Sequence, residues 1–335
     1  MLEIFEPIRV KNIEFINRVV MAPMVRFGFE YNNGIFGAKL MEEYLTSADK
    51  NIGLLISQAL SVIPGKNIRG GVYSEEQIEY LAKIAEACHA SGSRFFAQLA
   101  YPGFAFYDDC TRKIDSLTTE EIILIRKSFI DASKICKKAG LDGIELHGAH
   151  SYFLNMMSSP LANHRNDSYG GDIPHRLKLA EEIIAGIKEF TGEDFIISYR
   201  MGWLDNLDLD IKTAQGLEKI GLDMLHISKG IPLKRLITIP ENFNFNEVVY
   251  AASVIKKNVG IPVIAVNEIK TISRGNELIT TGAADFAAYG RPFLADPAFA
   301  KKSINNEFYK PCADCSKCKW YNNAEECPAR LDKSF

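Results

Sequence analysis

The 335-residue sequence lacks several features that would narrow its class at once. It has no apolar run near the ~18 residues of a membrane span, and its N-terminus, MLEIFEPIRVKN, lacks the layout of a signal peptide. Neither charge sign dominates, since 39 Lys and Arg face 42 Asp and Glu. This balance argues against a protein that coats nucleic acid or anionic membranes. We therefore expect a cytoplasmic globular protein with neither nucleic acid nor membrane as partner.

Cysteine is also scarce, because seven residues in so long a chain are too few for a secreted disulfide scaffold. Cys88 and Cys136 fall in helical patterns and Cys110 in a loop, and all three look ordinary. The other four form a compact set near the C-terminus: Cys312, Cys315, Cys318 and Cys327. Thiolates at this spacing suit a [4Fe–4S] cluster or a tetrahedral zinc ion. An unliganded or disulfide-bonded tail is the remaining alternative.

Short apolar runs alternate with longer amphipathic stretches along the chain, which is typical of buried parallel strands connected by helices. The runs are VVMAPM from Val19, IGLLISQALSV from Ile52, RFFAQLA from Arg94, GIELHGA from Gly143, FIISYRM from Phe195, MLHISKG from Met224, PVIAVNE from Pro262 and FAAYGRP from Phe286. The helical patterns begin near Gly37, Ser74, Thr118, Arg176, Leu209, Asn246, Ser273 and Asp296. Ser74 with Gln77, and Thr118 with Glu121, have the spacing of capping boxes.

Eight such alternating units predict an α/β fold, a (β/α)8 TIM barrel with right-handed crossovers. A doubly wound open sheet is the alternative, but no G-x-G-x-x-G or Walker loop follows a strand. The residues before Val19 are expected to form a hairpin that plugs the bottom of the barrel. We assign residues 1–308 to the barrel and residues 309–335 to a Cys-rich tail.

In such a barrel, the C-terminal strand ends face the active site. These ends carry hydrogen-bonding and cationic groups but no carboxylate pair, which disfavours glycosidase chemistry. There is also no H-E-x-x-H or G-x-S-x-G motif. The pocket is thus neutral to positive and suits a polar ring system with a phosphate tail. The residues at the ends are Pro23, Met24, Ala59, Gln98, His147, His150, Arg200, Ser228, Asn267, Gly290 and Arg291.

Two segments at these ends are the strongest candidates for chemistry. His147 and His150 could bind a metal, polarise a carbonyl group or satisfy hydrogen bonds of the core, and Tyr152 follows them. A tyrosine keeps its proton until pH ~10 and can therefore donate it at neutral pH. Gly290 and Arg291 follow the eighth strand, where barrels usually bind phosphate. A Gly-Arg-Pro turn alone is weak evidence.

Together these motifs resemble the Old Yellow Enzyme family of FMN-dependent NADH:flavin oxidoreductases. The resemblance runs from N-R-V-V-M-A-P-M at Asn17 to the Gly-Arg-Pro at Gly290, and its most specific stretch lies between His147 and Arg176. There H-G-A-H-S-Y-F-L-N-M-M-S-S-P-L-A-N-H-R-N-D-S-Y-G-G-D-I-P-H-R matches the family pattern closely. The cysteine set is similar to that of the 2,4-dienoyl-CoA reductase and trimethylamine dehydrogenase branch, in which the last gap is usually longer. That branch carries an appended nucleotide-binding half, which we do not expect here.

The resemblance implies FMN across the strand ends and NAD(P)H as reductant. Hydride would pass through flavin N5 to the activated C=C of an α,β-unsaturated carbonyl compound, with Tyr152 as proton donor and His147 and His150 on the carbonyl oxygen. The implied cofactor contacts are Pro23, Met24, Val25 and Ala59 at the ring, Gln98 at its pyrimidine edge, His147, Arg200 near N1/O2, and Asn267, Gly290 and Arg291 at the phosphate.

The chain departs from the family pattern at three places. Val25 replaces a Thr or Cys, which should lower the flavin potential. Tyr101 and Phe104 replace a His and an Arg, which should make the substrate pocket more aromatic. Asn267 and Glu268 replace a Gly-rich phosphate loop, so that Glu268 would repel the phosphate unless it turns outward.

Other functions remain open. A flavin dehydrogenase could oxidise an amine-type substrate and pass electrons through the tail cluster to a separate acceptor protein. A flavin barrel of the dihydrouridine-synthase kind would act on RNA, which the acidic balance and the lack of a basic domain disfavour. A flavin-less binding protein is a further alternative. Relatives are often dimers or tetramers, so we expect a homo-oligomer.

Overall fold

The computed structural model describes residues 2–48, 51–65, 68–102, 113–204, 206–231, 237–305, 307–309 and 311–331. Its strands, in chain order, are β1 Ile8–Val10, β2 Ile13–Phe15, β3 Val19–Met21, β4 Tyr31–Asn32, β5 Ile35–Phe36, β6 Leu54–Ser61, β7 Arg94–Ala100, β8 Gly143–Gly148, β9 Ile196–Trp203, β10 Met224–Lys229, β11 Val263–Val266 and β12 Phe286–Tyr289. Eight of them form a closed parallel barrel in the order β10-β11-β12-β3-β6-β7-β8-β9. The predicted (β/α)8 barrel is therefore confirmed, and each of the eight apolar runs supplies one strand.

Helices separate the barrel strands, as the sequence predicts. They are α1 Ala38–Ala48, α2 Ile78–Ala90, α3 Thr119–Lys138, α4 Phe153–Ser158, α5 Ile173–Lys188, α6 Leu207–Lys219, α7 Glu247–Lys256, α8 Ile272–Thr280, α9 Arg291–Ala295, α10 Phe299–Ile304 and α11 Pro328–Leu331. Short 3-10 turns lie at Glu3–Phe5, Glu75–Gln77, Ile114–Ser116, Lys319–Tyr321 and Ala324–Glu326. The expected helix near Asp296 corresponds to α10, and α4, α9 and α11 are additional short helices that the sequence patterns did not indicate.

Capping side chains explain several helix starts. At α3, Glu121 N donates to Thr118 Oγ1 at 3.3 Å, and Thr118 N donates to Glu121 Oε2 at 2.8 Å, which is the predicted capping box. At α7, Asn246 Oδ1 accepts from the amides of Val248 and Val249. Ser74 N likewise donates to Gln77 Oε1 at 2.7 Å, but a 3-10 turn precedes α2 there.

An aromatic cluster closes the N-terminal end of the barrel. The antiparallel hairpin of β1 and β2 carries Phe15, which is fully buried. Its ring centroid lies 6.1 Å from that of Phe96 and 5.2 Å from that of Phe286, both with edge-on geometry. The predicted hairpin plug is confirmed, and it leaves the opposite end of the barrel for chemistry. Within the described part of the chain, no helix has both the length and the apolar character needed to cross a bilayer.

The described part of the tail packs on the barrel through Trp320 and Arg330. Trp320 is 3% exposed, and its ring stacks on Phe29 at 6.2 Å. Arg330 makes a two-pronged ion pair with Glu43 of α1, at 2.6 and 3.0 Å. The Arg330 guanidinium also lies 4.6 Å from the centre of the Trp320 ring. Because Phe29 lies in the segment that follows β3, the tail is attached next to the C-terminal strand ends.

Candidate active site

Three neighbouring strands direct polar side chains into the upper part of the barrel. Alternate residues of a strand share a face, so β8 presents Glu145 and His147, β9 presents Ser198 and Arg200, and β10 presents His226 and Ser228. The pairing register places His147 beside Arg200, and Arg200 beside His226. All six residues are buried, so their hydrogen bonds and charges must be satisfied largely by one another.

Glu145 lies at the centre of this buried polar cluster. It is fully buried, and its two carboxylate oxygens accept from Gln98 Nε2 at 2.8 Å and pair with His226 Nδ1 at 2.8 Å. Burial alone would raise the pKa of Glu145, but His226, Arg200 and Gln98 outweigh it and hold the pKa below its usual value. Glu145 is therefore an anion that balances the charge of Arg200.

Arg200 brings a buried positive charge to the strand ends. Burial lowers its pKa to about 10, so the guanidinium is charged at neutral pH. It donates to Ser228 Oγ at 3.2 Å and to the Pro23 carbonyl at 3.4 Å. Its Nε is buried and has no hydrogen-bond partner among the described residues. An unpaired buried donor of this kind calls for a ligand acceptor.

The two candidate histidines are hydrogen-bonded to each other. His147 Nε2 lies 3.0 Å from His150 Nδ1, and His150 Nε2 lies 2.8 Å from Ser228 Oγ. Burial, reinforced by the charge of Arg200, lowers the pKa of His147 to about 3 and that of His150 well below its usual value. Both imidazoles are therefore neutral at physiological pH. The expected clamp, with both histidines on one carbonyl oxygen, would require His150 to release one of these two contacts.

A tight turn holds His150 and Tyr152 in place. His150 and Ser151 have left-handed φ angles of 59° and 64°, which are uncommon for residues other than glycine. The turn is fixed because His150 N donates to the Lys229 carbonyl at 2.8 Å and Ser151 N donates to Asn155 Oδ1 at 2.9 Å. Tyr152 follows at 43% exposure, with its ring 5.1 Å from that of His147. Tyr152 and the histidine pair therefore lie side by side.

The predicted ring-binding residues also gather at the strand ends. Pro23 is buried, Met24 and Ala59 are half-buried, and Val25 is exposed. A Cβ added at Gly290 would lie 3.0 Å from the Met24 sulfur. Glycine at this position therefore lets the backbone come close to Met24. Together with the unpaired Nε of Arg200 and the unpaired Nδ1 of His147, the set fits a planar polar group such as the FMN ring.

One predicted contact is directed elsewhere. The Nε2 of Gln98 donates to Glu145 rather than towards the open end of the barrel. One of the two N–H groups of Gln98 is thereby engaged, and its assignment as a flavin contact stays a prediction.

The predicted phosphate end contains a charge arrangement that the sequence did not reveal. Arg291 pairs with Asp314 Oδ1 at 2.5 Å, and Lys270 pairs with Asp314 Oδ2 at 2.5 Å. Asn267 and Glu268 both have positive φ angles, and the Glu268 side chain is exposed. Exposure reduces the repulsion that Glu268 would exert on a phosphate. The carboxylate that contacts Arg291 is instead that of Asp314, a residue of the tail.

The four tail cysteines come together around one small cavity. Cys312, Cys315, Cys318 and Cys327 line it, together with Arg291 and Trp320. No disulfide joins any of these four cysteines in the structure. Within the described residues, no group of three or more His, Cys, Asp or Glu side chains is placed to hold a metal ion. The metal-site prediction is therefore not confirmed, although the predicted convergence is present.

Glu145 and His226 are the site residues that the sequence patterns missed. A signal was available, because G-I-E-L-H places Glu145 two residues before His147, and His226 stands two residues before Ser228. Phe104 and Cys110 lie outside the described residues. Tyr101 is half-buried, with its ring 5.1 Å from that of Phe153.

Comparisons with known proteins agree with this geometry. The profile of the NADH:flavin oxidoreductase / NADH oxidase family matches residues 3–309. An NADH oxidase of Thermoanaerobacter brockii is 34% identical over 93% of the chain and 52% of its own length. An NADPH dehydrogenase of Bacillus velezensis is 30% identical over 92% of the chain and 97% of its own length. The chain thus spans about half of the first relative and nearly all of the second.

Solved structures show the same fold. The 2-naphthoyl-CoA reductase structure has a TM-score of 0.83 at 21% identity, over 95% of this chain and 55% of that one. The old yellow enzyme homologue of Zymomonas mobilis has a TM-score of 0.77 at 21% identity, over 96% of both chains.

Proposed function

The chain belongs to the NADH:flavin oxidoreductase / NADH oxidase family, and we propose that it uses FMN and NAD(P)H to reduce the activated C=C of α,β-unsaturated carbonyl compounds. The resemblance to the Old Yellow Enzyme family is thereby confirmed, and the chain is an oxidoreductase. The single observation that carries the proposal is the neutral His147–His150 pair beside Tyr152, above the buried charge of Arg200.

The proposed cofactor site follows the strand ends. Pro23, Met24, Val25 and Ala59 would hold the ring, with Arg200 and His147 at its polar edge and Gly290, Arg291 and Asn267 at the phosphate. Bound FMN supplies hydride-transfer chemistry between NAD(P)H and the substrate. The unpaired Nε of Arg200 supports this assignment, because a guanidinium donor stabilises negative charge on a bound ring.

The proposed roles of the site residues follow from their protonation states. A neutral imidazole N–H donates to the substrate's carbonyl oxygen, which draws electron density away from the β-carbon. Tyr152 then gives its phenolic proton to the α-carbon. Because the Tyr152 side chain is 43% exposed, it can recover that proton from solvent.

Flavin spectroscopy tests this proposal. The purified protein should be yellow, should release FMN on denaturation, and should bleach with NADH or NADPH and recover its colour with 2-cyclohexenone. A colourless protein that releases no flavin would contradict the proposal. Bleaching by an amine instead of a nicotinamide would favour the dehydrogenase alternative.

For the tail, we propose that the four cysteines hold an iron–sulfur cluster that exchanges electrons with a separate protein. The support is their convergence on one cavity that Arg291 also lines, since a cationic side chain favours the negative charge of thiolates. Zinc held by the same four thiolates is the alternative that the spacing in the sequence leaves open.

Elemental analysis separates these possibilities. We expect iron and acid-labile sulfide in the wild-type protein and their loss in Cys318→Ser. The matched control is Cys88→Ser, which removes a buried thiol of α2 and should keep the iron. Zinc, or no metal at all, in anaerobically purified wild-type protein would overturn the cluster.

A further inference from the structure

Asp314 of the tail engages two cations at the end of the barrel where the flavin phosphate is expected. We propose that Asp314 competes with the phosphate of FMN for Lys270 and Arg291, so that a residue of the tail sets the affinity for the phosphorylated flavin. Lys270 is thereby a second cation of the phosphate site, in addition to Arg291. This inference deepens the proposed function and rests on it for the identity of the phosphorylated ligand.

The two cations come from the two loops in which barrels of this type usually bind phosphate. In chain order, β11 and β12 are the seventh and eighth strands of the barrel, and they pair in parallel with Val266 beside Ala288. Lys270 lies in the loop after β11, and Arg291 follows β12. Because the loops after the seventh and eighth strands frequently form the phosphate site of a barrel, both cations are placed to bind an anion.

The carboxylate of Asp314 bridges these two cations. Its Oδ1 lies 2.5 Å from Arg291 Nη1, and its Oδ2 lies 2.5 Å from Lys270 Nζ. Each oxygen therefore engages one cation, as two oxygens of a phosphate group would. Since carboxylates of this type are anions at neutral pH, Asp314 and a phosphate offer the two cations the same kind of partner.

Asp314 lowers the affinity of this site for phosphate in two ways. It offsets one of the two positive charges, and it engages one donor group of each cation. A bound phosphate must therefore either share the cations with a second anion at close range or take them from Asp314, and both cost binding free energy. The side chains of Arg291, Asp314 and Lys270 are 36%, 47% and 48% exposed, so solvent screens these ion pairs and a stronger anion can replace Asp314.

The competition connects the phosphate site to the cysteine cavity. Asp314 stands between Cys312 and Cys315 in the sequence C-A-D-C, and Arg291 lines the cavity around which the tail cysteines gather. A phosphate that takes Arg291 and Lys270 from Asp314 removes two contacts that hold this segment against the barrel. We therefore expect the thiols of the segment to react faster when FMN is bound than when riboflavin is bound.

Asp314→Asn removes the charge and keeps the backbone. Asp314 has a left-handed φ of 53°, a conformation that asparagine adopts as aspartate does, so the variant should fold like the wild type. Fluorescence titration of the flavin-free full chain gives the dissociation constants of FMN and riboflavin. Because the two flavins share the ring and the ribityl chain, the ratio of the two constants isolates the contribution of the phosphate.

The variants should change FMN binding in opposite directions. We expect Asp314→Asn to lower the dissociation constant of FMN about threefold to tenfold, since exposed ion pairs are weak competitors, and to leave that of riboflavin unchanged. Lys270→Met should raise the dissociation constant of FMN by about the same factor, again without an effect on riboflavin. The control is Glu325→Gln, which removes another exposed carboxylate of the tail, one that pairs with Lys39. It should match the wild type with both flavins.

Labelling of the tail thiols, after removal of any metal, provides the second readout. In the wild type saturated with flavin, we expect labelling to be about threefold faster with FMN than with riboflavin, because the phosphate releases Asp314. In Asp314→Asn the ion pairs are already lost. The labelling rates of this variant with the two flavins should therefore be equal.

Each contrary result overturns a defined step. If Asp314→Asn binds FMN as tightly as the wild type or more weakly, Asp314 does not compete with the phosphate. An unchanged FMN constant in Lys270→Met refutes Lys270 as a phosphate ligand, and equal labelling of the wild type with both flavins refutes the release of Asp314. If the wild type binds neither flavin, the proposed function fails, and inorganic phosphate then tests the competition. In excess, it should raise the Tm of Asp314→Asn more than that of the wild type, and equal shifts would overturn the inference.

Discussion

Replacing Glu145 by Gln tests the electrostatic balance of the barrel interior. The change keeps the size of the side chain and removes its negative charge. Arg200 then remains a buried cation without the carboxylate that offsets it. In addition, the new amide N–H₂ would face either the Nε2 donor of Gln98 or the Nδ1 of His226, so one of the two hydrogen bonds is lost or reversed.

The expected loss of stability is large because both charges are buried. Glu145 is 0% exposed and Arg200 is 6% exposed, so solvent screening offers little compensation. Removing one partner of a buried ion pair typically costs ~3–5 kcal/mol. Since Gln preserves part of the hydrogen bonding, we expect a value near the lower end, about 3 kcal/mol. For a chain of this size that corresponds to a Tm lower by about 5 °C.

Urea unfolding at several pH values measures this effect. The pKa of Glu145 lies below its usual 4.5 in the folded protein, so its stabilisation is fully present above about pH 4.5. It is lost as the pH falls through the folded value. The free-energy difference between wild type and Glu145→Gln should therefore be constant from pH 6 to 8 and shrink in acid.

A surface variant shows whether the effect comes from removing a buried charge or from removing any carboxylate. Glu79→Gln removes a carboxylate of the same type from an exposed pair with Lys83. It should leave the midpoint of urea unfolding unchanged. A loss below about 1 kcal/mol for Glu145→Gln at pH 7, far under the range for buried pairs, would refute the assignment of Glu145 as the counter-charge.

Two further predictions concern the acid response and the tail. Because the pKa of His147 is about 3 when folded and ~6.5 when unfolded, only the unfolded state gains its proton between pH 7 and 5. This residue alone should therefore lower the free energy of unfolding by about 2 kcal/mol over that range. Urea midpoints of wild type and His147→Gln measure it, and equal pH slopes would contradict it. In the tail, Arg330→Met breaks the two-pronged pair with Glu43, worth about 1.5 kcal/mol. Labelling of the tail thiols after removal of any metal should become about tenfold faster. Lys39→Met, which breaks only an exposed pair with the tail, should leave that rate unchanged, and equal rates in all three proteins would contradict tight docking.

The fold could be predicted because its signals are local. Each barrel strand is an apolar run bounded by Gly, Pro or polar residues, and the run alone determines that it is buried. The capping box joins Thr118 and Glu121, which are only three positions apart in the sequence. Helix α4 was missed because it is short and follows the strained turn at His150, whose left-handed φ no sequence pattern indicates.

The site could be predicted in part, for a related reason. Strand ends identify His147, Arg200 and Ser228 as neighbours, since the barrel brings successive ends together. The pairing among them depends on register and side-chain rotation, which is why the His147–His150 contact was not foreseen. The ion pair of Arg291 with Asp314 joins residues from the barrel and the tail, and no local pattern relates them.

Reoxidation of the NADPH-reduced holoenzyme by 2-cyclohexenone, compared between wild type and Tyr152→Phe, measures whether Tyr152 supplies the proton. A positioned general acid contributes ~10²–10⁴ in rate, so the reoxidation rate of Tyr152→Phe should fall by a factor of this size. Bleaching by NADPH should proceed as in the wild type. Tyr169→Phe, which removes a hydroxyl that bonds Glu182, is the control and should behave as the wild type. Equal reoxidation rates in Tyr152→Phe and wild type would contradict the role of Tyr152 as proton donor.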